Sequence, residues 1–308
     1  MGKLFGTDGI RGVVGKNLTA ELAFHVGQAV AVVLQEELGH KPVITIGKDT
    51  RISSDMLEAA LSAGICSVGG DVLLLGTIPT PAVAFLTIRE KADAGVVISA
   101  SHNPYEHNGI KVFNAQGYKL PDAMENRVEE LILSHAEMPV KTGGEIGRCC
   151  NTSQEMHEDY IDHLIDTIGC DLSGLRVLVD CANGAAAATA PDLFQRLPVM
   201  ADFINIDPDG VNINNGCGST HLEQLSIMTM AGKYQLGIAF DGDADRCLLV
   251  DEKGHTIDGD KIMAVCGLAL RRAGKLTNNA VVATVMSNLG LHEFCRNEQI
   301  ELVCTAVG

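Results

Sequence analysis

Positive charge is scarce in this chain: 23 Lys and Arg stand against 39 Asp and Glu, a formal net charge of −16. A surface of that sign repels phosphate backbones and anionic lipid, so neither nucleic acid nor a membrane is expected as a partner. An anionic ligand would need a local reversal of the field, from a metal ion or a few aimed basic side chains. Paired cysteine spacings are missing as well. Cys66, Cys149, Cys150, Cys170, Cys181, Cys217, Cys247, Cys266, Cys295 and Cys304 form no C-x-x-C, which argues against a zinc site or redox dithiol. They are expected as reduced, mostly buried thiols of a cytoplasmic protein. Nucleotide-binding glycine loops are absent too: no P-loop occurs, and the glycines at 6, 9 and 12 have the wrong spacing for G-x-G-x-x-G. Long apolar runs are lacking. The most apolar stretch, Val72 to Ile88, is broken by Pro79 and Pro81 and is too short to span a bilayer. The opening MGKLFGTDGIRG carries no apolar run of signal length, and Gly6 stands where myristoylation needs Ser or Thr, so no export is expected.

What is present is enough chain for several cores: 308 residues, at about 150 per domain, suggest two domains or three small ones. Three segments share one grammar of short apolar strand, polar or Gly-bearing turn, and helical pattern. They are PVITIG at 42–47 leading to a helix from Ser53, RVLVDCANG at 176–184 leading into Ala185 to Leu197, and AVVATV at 280–285 leading into Asn288 to Asn297. Such alternation predicts an α/β fold built as successive α/β domains. Ser53 and Ser54 are candidate N-caps, and Met56, Leu57, Ala60 and Leu61 behind them form a packing face. Composition shifts at 141–154 (KTGGEIGRCCNTSQ) and 251–256 (DEKGHT) read as linkers. The resulting units are 1–150, 151–255 and a short third, 256–308.

The chemistry concentrates in two stretches. In LGIAFDGDADRCLLVDEKG, 236–254, a strand ends at Phe240, then Asp241, Asp243 and Asp245 alternate, Arg246 follows, and a second strand runs from Cys247. Three carboxylates so close repel one another unless a cation lies among them, and hard oxygen donors suit Mg²⁺ or a similar divalent ion. An EF-hand does not fit, because Arg246 occupies the position that needs Gly and strands flank the loop. An aspartyl-nucleophile phosphatase, with Asp241 attacking phosphate and Asp243 beside it, remains open. The other stretch, GVVISASHNPYEHNGIKVFNAQGYKL at 95–120, sets Ser99, Ser101, His102 and Asn103 after an apolar strand, with Lys111 further on. A loop there can present a hydroxyl, and serine needs an activating base or a phosphoryl group already in place to take part in group transfer.

ASHNP with NGIK behind it, DGDADR and the opening FGTDGIRG, together with GKDTR at 47–51, PTPA at 79–82 and DCANGA at 180–185, resemble the α-D-phosphohexomutase family over the whole chain. The resemblance implies mixed sheets flanked by helices, and a serine, Ser101, that carries a phosphoryl group. It implies Mg²⁺ held by Asp241, Asp243 and Asp245 with an oxygen of the Ser101 phosphate. Lys111 and Arg11 become the proton-transfer or charge-stabilising groups, Arg246 and Asn103 phosphate-binding residues, and His102 a positioning residue of the serine loop; Thr7 and Asp8 would stand behind them. The implied reaction moves the phosphoryl group from Ser101 to a hexose monophosphate and takes the other phosphoryl group of the resulting bisphosphate back. In the family's glucosamine branch the hexosamine phosphate is glucosamine 6-phosphate, converted to glucosamine 1-phosphate on the way to cell-wall precursors; its glucose and mannose branches are the alternatives. A homodimer is a further implication. The family's sugar-reading loop and fourth domain find no match, so the chain is expected to be C-terminally truncated and to turn over little substrate alone. A non-catalytic fragment that binds a metal or sugar phosphate is the remaining alternative.

Overall fold

The computed structural model describes residues 4–6 and 9–307; Thr7 and Asp8 lie outside them. Six strands form the first sheet: β1 (Ile10–Val13), β2 (Val43–Lys48), β3 (Asp71–Thr77), β4 (Ala94–Ile98), β5 (His107–Asn114) and β6 (Cys149–Asn151), in the order β1-β5-β4-β2-β3-β6. The β4, β2, β3 and β6 strands run parallel, whereas β5 is antiparallel to both β4 and β1. Near-continuous Val, Ile and Leu runs in β2 and β4 fit strands covered on both faces. Helices α1 (Ala20–Leu38), α2 (Ser54–Ser67) and α4 (Asp122–Leu133) share one apolar core with the sheet; α3 (Thr80–Arg89) and α5 (Ser153–Asp166) close the other face around Leu75, Val83, Leu86, Met156 and Tyr160.

The second sheet has the order β11-β10-β9-β7-β8, from β7 (Arg176–Asp180), β8 (Met200–Ile204), β9 (Leu236–Phe240), β10 (Cys247–Asp251) and β11 (Thr256–Ile257). Here β8, β7 and β9 are parallel and α6 (Ala186–Gln195) and α7 (Glu223–Gly232) pack on them. The last part contains α8 (Gly259–Arg272), β12 (Ala280–Thr284), α9 (Leu289–Asn297) and β13 (Glu301–Thr305), with β12 and β13 parallel.

Both stretches read as linkers carry ordered structure. Residues 149–151 are strand β6, paired in parallel with β3, and α5 starts two residues later against the first core. All three β6 side chains are exposed, so the strand is held by main-chain hydrogen bonds and leaves no apolar trace in the sequence. Residues 252–255 turn the β10–β11 hairpin, where the Asp251 carboxylate accepts from the main chain of Lys253 (2.9 Å) and His255 (2.8 Å). The cysteines also differ from expectation. All ten are free, but Cys149, Cys150, Cys170, Cys247, Cys266 and Cys304 are exposed, and Cys181, Cys217 and Cys295 are buried. Cysteine's apolar character is too slight to fix its depth on edge strands and helix surfaces.

The parallel strands carry their carboxyl ends to one edge of each sheet, where ligands bind in open α/β folds. From the first sheet come the segments 49–53, 78–80 and 99–106; from the second, 181–185, 205–222 and 241–246. The two edges meet. Ile52 N–H donates to the Gly210 carbonyl (2.9 Å), Thr50 Oγ1 to the Asn183 carbonyl (2.5 Å) and Thr80 N–H to the Asp243 carbonyl (2.9 Å).

Candidate active site

Ser101 sits in the bend between β4 and β5 with φ of +52°, a left-handed conformation that a serine adopts at a cost and keeps only when its surroundings hold it there. Those surroundings are explicit. The Arg51 guanidinium, fully buried and paired with the Asp49 carboxylate, donates to the carbonyls of Ser101 (3.1 Å) and Asn103 (2.6 Å). Asn214, reaching over from the loop after β8, donates to the same two carbonyls (2.9 and 3.3 Å). Ser99 Oγ accepts from the Ser101 N–H at 2.9 Å. The result aims Ser101 Oγ at the second sheet, where it donates to Asp241 Oδ2 at 2.6 Å.

Asp241, Asp243 and Asp245 follow β9 and each brings one carboxylate oxygen into a group spanning no more than 4.8 Å. Their loop is held by glycine at two close approaches. A Cβ on Gly242 would lie 2.6 Å from the Ser101 carbonyl oxygen, and one on Gly184 would lie 2.3 Å from the Gly242 oxygen. Both Asp241 oxygens are engaged, Oδ2 by Ser101 and Oδ1 by the Arg246 N–H at 3.1 Å. Asp243 Oδ2 accepts from Thr80 Oγ1 at 2.6 Å, while its Oδ1 is buried without a hydrogen-bond partner among the described residues.

Charge repulsion in this group is visible in its acidities. Burial first, then the neighbouring charges of Asp241 and Asp245, push the Asp243 carboxyl up to about 7. Burial and Asp241 likewise raise Asp245, against the pull of Lys111, Arg246 and Arg11. A buried carboxylate oxygen left without a donor, among acids that resist ionising together, matches a divalent cation with oxygen ligands, and the three Asp residues can supply it.

The basic residues assemble from separate strands. Arg11 on β1 faces Gly109 on β5; a Cβ on that glycine would come within 3.0 Å of the Arg11 side chain. Lys111, two residues along β5, therefore shares its face and lies over the Phe113 ring at 5.3 Å. Arg246 Nε stands 4.0 Å from Asp241 Oδ2. The His102 Nδ1 lies 3.4 Å from Ser101 Oγ, and burial, followed by the Arg246 charge, lowers its basicity and favours the neutral ring. Asn103 joins the site through its main-chain oxygen, which Arg51 and Asn214 hold. The structure thus gathers Ser101, His102, Asp241, Asp243, Asp245 and Arg246 directly, with Arg11 and Lys111 near enough to act on Asp245.

Four contributors escaped sequence reasoning about roles: Asp49, Arg51, Thr80 and Asn214. Three lie in GKDTR and PTPA, segments whose likeness to the family was visible but whose contacts were not. Ser53 and Ser54 are not side-chain caps of α2; their hydroxyls accept from Asn108 Nδ2 at 2.9 and 3.1 Å, and Ser54 Oγ donates to Asp49 at 3.1 Å. His221 lines with His102, Tyr105 and Asn215 a cavity of about 410 Å³ beside the serine loop.

Known proteins carry the same architecture. Three family profiles match in succession: phosphoglucomutase/phosphomannomutase alpha/beta/alpha domain I over residues 2–138, domain II over 158–254 and domain III over 258–308. A phosphoglucosamine mutase of Acetivibrio thermocellus is 56% identical over 309 aligned residues, covering 100% of this chain and 69% of its own length. One from Clostridium acetobutylicum is 54% identical, with 100% and 68% covered. The crystal structure of a phosphoglucomutase/phosphomannomutase family protein from Burkholderia thailandensis superposes with a TM-score of 0.84 at 25% identity, covering 99% of this chain and 66% of that one. By its three matching profiles and its identity to these relatives, the chain belongs to the phosphoglucomutase/phosphomannomutase family.

Proposed function

We propose that this chain carries the phosphoserine and metal centre of a phosphoglucosamine mutase, an isomerase that interconverts glucosamine 6-phosphate and glucosamine 1-phosphate. One observation carries the reading: Ser101 Oγ and Asp241 Oδ2, 140 residues apart, lie 2.6 Å from each other across the two sheet edges. A hydroxyl in hydrogen-bond contact with a cation-ready acid group is placed to bear a phosphoryl group that the same cation neutralises. The curated phosphoglucosamine mutases at 56% and 54% identity support the glucosamine branch over the glucose and mannose branches.

Asp241, Asp243 and Asp245 would hold Mg²⁺, which supplies charge neutralisation on the transferring group. The protein's own part is positioning. Arg51 and Asn214 hold the strained serine loop so that Oγ keeps one direction. Transfer breaks the bond between phosphorus and Ser101 Oγ and forms one between phosphorus and a sugar oxygen; the proton lost by the sugar hydroxyl is balanced by the one that the freed Ser101 Oγ takes up. Lys111 and Arg11, on one face of the β1–β5 edge, offer N–H groups to the equatorial oxygens; Arg246 adds charge from the loop after β9. Neutral His102 keeps Ser101 Oγ in register without adding a competing charge. The returning phosphoryl group closes the cycle on the same oxygen. These cationic groups also reverse the field of an acidic protein locally, which lets it take a sugar phosphate as substrate.

The phosphatase alternative needs Asp241 as a free nucleophile, and the engagement of both its oxygens weighs against that. Intact-mass and peptide analysis after incubation with a hexose 1,6-bisphosphate tests the choice. A gain of one phosphoryl group on the Ser101 peptide, abolished in Ser101→Ala, is expected. A labile acyl phosphate at Asp241 that is indifferent to Ser101→Ala would overturn the proposal.

A further inference from the structure

Asp243 is the middle residue of the acid group, and its two carboxylate oxygens are not equivalent. Oδ2 receives the Thr80 hydroxyl at 2.6 Å; Oδ1 is buried and receives nothing among the described residues. Thr80 also donates its main-chain N–H to the Asp243 carbonyl at 2.9 Å. Two donors from one residue therefore hold both the backbone and the carboxylate of another 163 positions away.

Thr80 is itself well fixed. It opens α3 directly behind Pro79, whose ring limits the preceding backbone, and Ile78 before them is tied to the Lys48 carbonyl at 3.0 Å. The residue is 5% exposed, and a β-branched residue in a helix has few χ1 choices. The single hydroxyl proton is directed at one oxygen. That leaves the lone pairs of the other as the free coordination position, in the way outer partners of a metal ligand set its orientation.

We propose that Thr80 is a positioning residue for the divalent cation: it selects which Asp243 oxygen faces the metal and couples that choice to the first sheet. The inference rests on the cation reading given above and goes beyond it by placing part of the metal site's support in the PTPA segment. Removing the hydroxyl frees the carboxylate to rotate about its last torsion and leaves a second buried oxygen without a donor, whereas the main-chain bond survives the loss of the side-chain hydroxyl.

Mn²⁺ binding to the 308-residue chain, read by electron paramagnetic resonance as free against bound ion, tests this without turnover. Thr80→Val keeps the shape and lacks the hydroxyl; it is expected to raise the Kd for Mn²⁺ on the order of 10- to 100-fold. Thr80→Ala, smaller and free of any clash, is expected to shift the same way, and Thr80→Ser to stay near wild type. Circular dichroism melts confirm that each variant is folded. Wild-type affinity in both hydroxyl-free variants would overturn the assignment of Thr80 alone. Equal weakening in Thr80→Ser would overturn it in favour of simple packing. A wild-type chain that takes up no Mn²⁺ would overturn the cation reading and this inference with it.

Discussion

At the scale of the residue, the acid group decides how the molecule responds to pH. With its carboxyl pushed up to about 7, Asp243 in the folded chain keeps a proton that it has lost in the unfolded chain, where the ordinary value is 3.8. This group's contribution to stability is complete below pH about 4 and is lost as pH rises through about 7. In EDTA the thermal midpoint is therefore expected to fall as pH climbs through that window. Saturating Mg²⁺ needs the ionised carboxylate and releases the proton, so the metal's stabilisation grows over the same range. Melts across the window, with and without Mg²⁺, check this; a fall that persists in Asp243→Asn would assign it to other groups. The acid group was legible as a unit because three acids alternate between two strands, and the structure does bring them within 4.8 Å of one another. Arg51 and Asn214 were not, since each acts on main-chain carbonyls, and a carbonyl leaves no mark on the sequence of the residue that owns it.

Elements were read best where a strand is apolar and a helix begins with a competent cap. Residues 280–284 and 289–297 emerged as strand and helix near the expected bounds, and Asn288 caps α9 by accepting from the Leu291 N–H at 3.1 Å. Asn288→Ala is expected to lower stability by about 1 kcal/mol, measured by urea unfolding; no change in the midpoint would show the cap to be replaceable by water. The misreadings have the opposite cause. Strand β6 is three exposed residues long and exists only because β3 offers a free edge, and the β10–β11 turn is short and polar like any linker. Ser53 and Ser54 have the chemistry of caps, yet Asn108 on β5 claims their hydroxyls, a competition that no local window contains.

At the scale of the whole molecule, function depends on two sheets presenting their carboxyl edges to each other. One tight point of that meeting is Gly242, where an added Cβ would lie 2.6 Å from the Ser101 carbonyl oxygen. Gly242→Ala puts a methyl where there is space for none. A loss of about 1–3 kcal/mol of stability is expected from such overpacking, together with loss of phosphoryl uptake at Ser101, followed by intact mass. Uptake at the wild-type level would show that the two loops need not touch. Domain-level architecture was foreseeable from the strand, turn and helix grammar; the docking of one unit on the other was not, because it is made by single side chains and main-chain groups spread over segments 49–53, 78–80, 99–103 and 205–222.

Ser101 is 3% exposed, and this seclusion bears on chemistry that competes with transfer. On the function proposed above, so enclosed a serine would limit the approach of bulk solvent to its phosphoryl ester, which would then wait for a sugar hydroxyl instead of being lost to hydrolysis. Seclusion of that kind is what separates a carrier that recycles its group from an enzyme that squanders it.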